Sequence, residues 1–210
     1  MATPRLTISF TPAATPITTR VTKFGGQPVW LGEPCWPLSR SSGNPMRFVG
    51  QVEIPAHLFA SVPAKMAYVF MTQEDDYVEW TWDPQRGENA VVLQPGAIGV
   101  EVNTAPLRTG PTVIAKDRRP IEFEVGLQAG NDEPNQLDDD DLLDDATDDG
   151  NKLGGLPAWL QEEDFPGAGW SRLLLQLDQV RLPFFLNLGD GRAFVFLSPD
   201  GPKARMLWQR

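Results

Sequence analysis

Few side chains in this sequence are of the kinds that carry out chemistry, and their neighbours decide what each can do. The 210 residues contain one histidine, His57, and one cysteine, Cys35. A single imidazole removes every metal site built from two or three histidines and leaves one candidate general base. It lies in IPAHLFA, with neither a nucleophile elbow nor a paired-histidine helix motif around it, so a surface or packing role is expected. Cys35 is followed by Trp36 and Pro37, with no adjacent cation to favour the thiolate, and reads as a small hydrophobe. One cysteine also excludes an internal disulfide and a thiolate zinc cage. No metal site and no cofactor are expected.

The densest set of potential ligands is the stretch 131–150, NDEPNQLDDDDLLDDATDDG, which holds ten acids and no base. Asp138, Asp139, Asp140, Asp141, Asp144 and Asp145 form its centre. The best alignment of a calcium loop starts at Asp145 and puts Asp149 and Gly150 at the fifth and sixth positions. It fails at Thr147 and at Leu156, where a bidentate glutamate belongs. Two readings stay open. Like charges at this density resist packing, as in a solvated linker between lobes; they also suit an electrostatic arm that recruits a basic partner. Leu142 and Leu143 would give such an arm an apolar anchor.

Two further features recur as pairs. TKFGGQPVWL, from Thr22, and NKLGGLPAWL, from Asn151, share Lys, Gly-Gly, Pro and Trp-Leu at an offset of 129 residues. Gly25, Gly26 and Pro28, and again Gly154, Gly155 and Pro157, read as structural turns, the glycines giving positive φ or close approach and the proline fixing the exit. They lack the GxxxxGK[ST] spacing and following helix of a phosphate loop. Trp30 and Trp159 have the area to anchor each turn onto a sheet. Gln51 and Gln176 each sit amid apolar residues, in FVGQV and LLLQL, and a buried amide must find partners. The simplest expectation is that each ties down its own Gly-Gly loop; contact with a ligand is the alternative.

These residues must be positioned by a scaffold of strands. Twenty prolines and nineteen glycines, with only short apolar runs, predict many turns and little helix. RLTISF and RFVGQVEI alternate as half-buried strands, and MAYVFMT reads as a buried central one. VEWTW, AVVLQ, IGVEV, TVIA and IEFEVGL follow, then RLLLQLD, AFVFLS and ARMLW. AHLFA is expected to make one helical turn after Pro55, and the loop LGEPCWPLSRSSGNP no regular structure. The recurrence continues beyond the turns: Gln51 matches Gln176, Ala67–Thr72 matches Ala193–Ser198, and Trp80 is weakly matched by Trp208, at offsets of 125 to 128. The expected fold is mainly β, with short helices at most, an internal duplication giving two related lobes packed about a pseudo-two-fold axis. Within one compact domain the lobes are placed at 1–130 and 151–210, with 131–150 as acidic linker or arm, and a groove between them is the place to look for a ligand.

Removing the acidic stretch leaves 18 acids against 18 bases, so the formal charge of -10 belongs to one segment. The remaining chain offers no basic excess for a nucleic-acid face. No run approaches the apolar length of a membrane helix, and no secretory leader opens the sequence, so a cytoplasmic location is expected.

KFGGQPVWL, CWP and GNPMRFVGQVEIP in the first half, with LGGLPAWL, LLLQLD and GDGRAFVFL in the second, resemble the bacterial YwqG-like family of unknown function. The GG-x-P-x-W-L turn followed by G-x-P-M-x-F-x-x-Q is more distantly similar to the programmed-cell-death-2 family. The resemblance covers most of the chain from Lys23 and implies a duplicated, mainly β fold with no established catalysis. Members of the eukaryotic group escort a basic ribosomal protein, and bacterial neighbours often sit near toxin loci. The CxxC-type cysteines of the eukaryotic group have no counterpart here beyond Cys35. The sequence therefore predicts a non-enzymatic protein-interaction module, a chaperone-like escort or immunity-type binder of a basic protein. Its alternatives are a small-ligand binder or enzyme using the groove, with His57, Gln51 or Gln176 as polar contacts, and a structural assembly subunit.

Overall fold

The computed structural model describes residues 2–73, 78–115, 119–133 and 150–210. Nearly all its regular structure is β. In chain order the strands are β1 (Thr3–Pro12), β2 (Lys23–Gly25), β3 (Trp36–Pro37), β4 (Arg47–Glu53), β5 (Met66–Met71), β6 (Asn89–Gln94), β7 (Thr104–Ala105), β8 (Glu122–Asp132), β9 (Lys152–Gly154), β10 (Arg172–Asp178), β11 (Arg192–Leu197) and β12 (Ala204–Gln209), with one 3-10 turn at Gln179–Arg181. Ten strands close into a barrel in the order β1-β8-β2-β4-β5-β6-β12-β11-β10-β9, while β3 and β7 form a separate small pair.

Period-two alternation decides what each strand buries. In β5, Ala67, Val69 and Met71 join a core drawn from strands all round the barrel, with Phe24, Val52, Leu93, Leu153, Leu174 and Val195. This is the barrel interior. Met66, Tyr68 and Phe70 face the other way, into a cluster with Trp30, Trp36, Met46 and Phe48. Buried on both faces, the strand must be apolar throughout. In β11, Ala193, Val195 and Leu197 enter the interior, while Phe194 and Phe196 join Leu173 and Leu207 under Trp159, Phe165 and Trp170. The barrel thus has a filled interior and two aromatic patches outside, each roofed by the loop that follows a Gly-Gly turn.

The expected mainly β class is what the chain adopts. The groove expected between the two halves does not open where they meet among the described residues. β2-β4-β5-β6 and β9-β10-β11-β12 are bonded into one sheet through β6–β12, where Ala204 pairs with Val91, and through β1 and β8. β1 pairs with β8 over ten residues and with β9 through Arg5–Thr7, whereas β8 pairs with β2 through Glu122–Glu124. The strand preceding β2 is thus bonded to β9, and the strand preceding β9 is bonded to β2. The place between the halves is a sheet junction over a shared core.

Smaller differences have clear causes. VEWTW lies in turns, and IGVEV and TVIA make only isolated bridges. Ile98, Val100 and Val102 are apolar because they pack over the outer cluster of the first half, a requirement that mimics strand patterning. Trp36–Pro37 breaks the expected coil with its short pairing to Ala105 and Thr104. The turn after Pro55 is present, with Phe59 N donating to Pro55 O. β8 crosses the expected boundary at residue 131: Asn131 and Asp132 belong to this strand, not to a free arm.

Candidate functional site

The paired motifs occupy corresponding places. β2 pairs with β4, Lys23 opposite Gln51, and β9 pairs with β10, Lys152 opposite Gln176. β4 carries an irregularity between Phe48 and Gly50, and β10 one between Leu173 and Leu175. The Gln51 side chain accepts from Val29 N and donates to Val21 O, closing the ends of the first Gly-Gly loop. Gln176 accepts from Ala158 N and donates to Gly150 O around the second. Both glutamines are wholly buried and their amides are engaged within the chain.

A second glutamine pair escaped the sequence reading. Gln94, ending β6, accepts from Leu31 N and Gly32 N and donates to Glu33 O. Gln209, near the end of β12, accepts from Leu160 N and Gln161 N and donates to Glu162 O. The recipient residues differ by 129 in number throughout, the offset of the Gly-Gly motifs. The glutamines themselves differ by 115, because the β5–β6 connection is longer than that of β11–β12; this hid the match. Trp80 and Trp208, expected as counterparts, are not: Trp80 is a half-exposed turn residue at φ 68°, and Trp208 lies in β12.

The recurrent lysines were visible but had no assigned role. Lys23, wholly buried, forms an ion pair with Glu122 of β8 and also donates to Ile17 O. Lys152 pairs with Asp132 at 2.8 Å, and Arg5 holds the second carboxylate oxygen at 2.8 Å. The glycines admit these carboxylates. A Cβ on Gly26 would lie 2.3 Å from the Glu122 carboxyl group, and one on Gly155 2.1 Å from Asp132 Oδ2. The carboxylates therefore fill space that a side chain at either turn would take.

Trp30 stacks on Tyr68 and Phe70, with centroids 4.6 and 6.1 Å apart; Trp159 stacks on Phe194 and Phe196 at 4.7 and 5.7 Å. Pro28 is buried and Pro157 half-buried at the turn exits. Tyr68 donates to Val29 O and accepts from Leu31 N, and burial pushes its phenol up to about 12. His57 is exposed on the turn after β4, and Cys35 is half-buried against the first aromatic patch. Asp138, Asp139, Asp140, Asp141, Asp144 and Asp145 lie outside the described residues. Among the described residues, no group of three or more His, Cys, Asp or Glu is placed to hold a metal ion, and no helix is long and apolar enough to cross a membrane.

Among the described residues, a groove of about 380 Å³ opens beside β8, where this strand leaves β2. Its apolar lining is Ile17, Val21, Val125 and Leu127, with Thr19 and Thr22 adding hydroxyls and Glu53 and Glu124 carboxylates. Val21 and Leu127 are 40% and 43% exposed. Among the described residues, no basic side chain lines the groove. The arrangement suits a ligand with apolar groups and positive charge, and it draws on none of the residues picked out from the sequence. Its signal there, glutamates alternating with apolar residues in EFEVGL, reads equally as a solvated strand face.

Fold and groove together define a closed β-barrel domain with two loop-roofed aromatic patches and an acidic surface cleft. The chain belongs to the family described as a domain of unknown function (DUF1963), whose pattern matches residues 22–205. No curated protein matches the sequence significantly.

Proposed function

We propose that this protein is a non-enzymatic binding module for a basic protein partner, built by internal duplication, that acts as an escort or an immunity-type binder. The observation that carries the reading is the acidic groove beside β8: two carboxylates over an apolar floor, with no cation among the described residues of its lining. The acidic stretch that follows β8 in sequence adds long-range attraction for the same kind of partner. The paired loop ties support the duplication, and the crossed pairing of β1 and β8 favours a boundary between its copies before β8. The sequence resemblance to YwqG-like proteins and to the programmed-cell-death-2 family agrees with such a role, and a cytoplasmic setting would suit it.

The test is affinity capture from host lysate at low and high salt. Intact protein is compared with a variant lacking 134–149 and with the Glu53→Gln/Glu124→Gln double variant. One basic protein retained by the intact chain, weakened in both variants and released by salt is the expected result. Capture of the same partner with no effect of salt or of either variant would refute the electrostatic reading. A groove of this volume also falls within the range of small-molecule sites, so a cationic metabolite is the second reading. Glu53→Gln/Glu124→Gln would then abolish metabolite binding by the purified protein, while no protein would be captured.

A further inference from the structure

We infer that the outer edge of β8, from Val125 to Asn131, is a strand-acceptor site that takes an extended basic peptide into the barrel sheet. This rests on the reading of the protein as a binder of basic partners and adds where and how the partner is held. β8 is paired with β1 along nearly its whole length but with β2 only as far as Glu124. Glu122 O accepts from Ala13 N on the β1 side, and Ile121 O accepts from Gly26 N on the β2 side. Backbone groups alternate between the two sides of a strand. The N–H and C=O groups of Val125, Leu127, Ala129 and Asn131 therefore face the β2 side; Val125 stands opposite Thr22, next to the Lys23–Glu124 pair, and no described strand covers the groups of Leu127, Ala129 and Asn131. Residues 126–131 are exposed.

An open edge is normally blunted by proline, lysine or a bulge, because it templates pairing with another chain. β1 is protected in this way. On its outward side Ile8 N is taken by Asn151 O, and Pro12, which has no N–H, stands beyond. β8 reads EFEVGLQAGND, without proline, lysine or bulge. The cleft at the start of its open stretch supplies Glu53 and Glu124 for cationic side chains and Val21 and Leu127 for apolar ones. Strand addition joins the two, with main-chain bonds giving affinity and the cleft selecting alternate side chains. A second copy of this chain is disfavoured as the occupant, since it would bring the same carboxylates against themselves.

The probe is a fluorescein-labelled peptide of about eight residues, alternating lysine and valine, the length of an ordinary strand. It is compared with a form N-methylated at alternate residues and with a glutamate-for-lysine form. Binding to the full chain is followed by anisotropy and by amide exchange of β8. The expected result is protection of the Leu127, Ala129 and Asn131 amides, about tenfold weaker binding after N-methylation, which costs at least one backbone bond, and none for the glutamate form. Leu127→Pro, which removes an outward N–H while sparing those bonded to β1, should weaken the lysine peptide to a similar degree. Its melting curve reports whether it folds, and the N-methylated probe tests the site on the unmodified chain. Equal affinity for the N-methylated peptide without amide protection would overturn strand addition and leave the basic-partner reading standing. Equal protection by the glutamate peptide would instead overturn the preference for basic partners. Concentration-dependent protection in the free protein would give the edge to a second copy and overturn the proposal.

Discussion

Gln51 and Gln176 fasten the mouths of the two Gly-Gly loops from wholly buried positions. Replacing either by alanine leaves a loop N–H and a loop carbonyl without the partner they have inside the fold, at a cost of about 1–3 kcal/mol. The two sites share no hydrogen-bond partner, so the double variant should lose close to the sum of the single losses in chemical denaturation. Tyr68 reports on the same loop through pH. Its phenol is raised to about 12 by burial against an ordinary value of 10, so between these values the unfolded chain releases a proton that the folded chain keeps. This contribution to stability is fully present below pH 10 and is lost as pH rises through 12. Tyr68→Phe should be less stable at neutral pH and fall less steeply over that interval, as urea titrations at successive pH values would reveal. The sequence betrayed the glutamines because amides inside apolar strands need partners. It left the lysines unassigned because a buried cation declares itself only when its carboxylate, 99 residues away for Lys23, is brought alongside.

The turns and strands carry the next set of consequences. Gly43 and Gly26 both have positive φ, yet a Cβ on Gly43 would meet nothing within 4 Å, whereas one on Gly26 would enter the carboxyl group that holds Lys23. Gly43→Ala should therefore cost about 1 kcal/mol from backbone strain alone. Gly26→Ala should cost several kcal/mol, because displacing Glu122 strands a buried ammonium. The difference in melting temperature between the two variants separates the strain of the conformation from the loss of the ion pair. At this scale the sequence was legible wherever one strand face differs from the other, or where both are buried, as in β4, β5, β10 and β11. It misled at VEWTW and IGVEV, since apolar residues that roof a patch or brace a turn alternate much as strand residues do. The groove beside β8 had no legible signature, because it arises where β2 stops short of β8, and the length at which pairing ends is a property of the folded sheet.

For the whole molecule, β1 is the closing element. It is bonded on one side to β8 and on the other to β9, and it sends Leu6 and Ile8 into the shared interior. Deleting residues 3–12 would open the barrel, uncover the second edge of β8 and leave Asp132 without Arg5. The truncated protein should be insoluble or lose cooperative unfolding, where a strand added to a complete fold would be dispensable. Single-strand deletion followed by calorimetry distinguishes the two cases. The arrangement that makes β1 indispensable also governs how the protein is made. Arg5 pairs with Gly154, which leaves the ribosome roughly 150 residues later, so at typical translation rates β1 waits on the order of 10–30 s for this neighbour. During synthesis Leu6, Ile8 and Phe10 travel as an unpaired apolar strand. The nascent chain thus exposes this apolar face until β8 and then β9 have emerged to cover it.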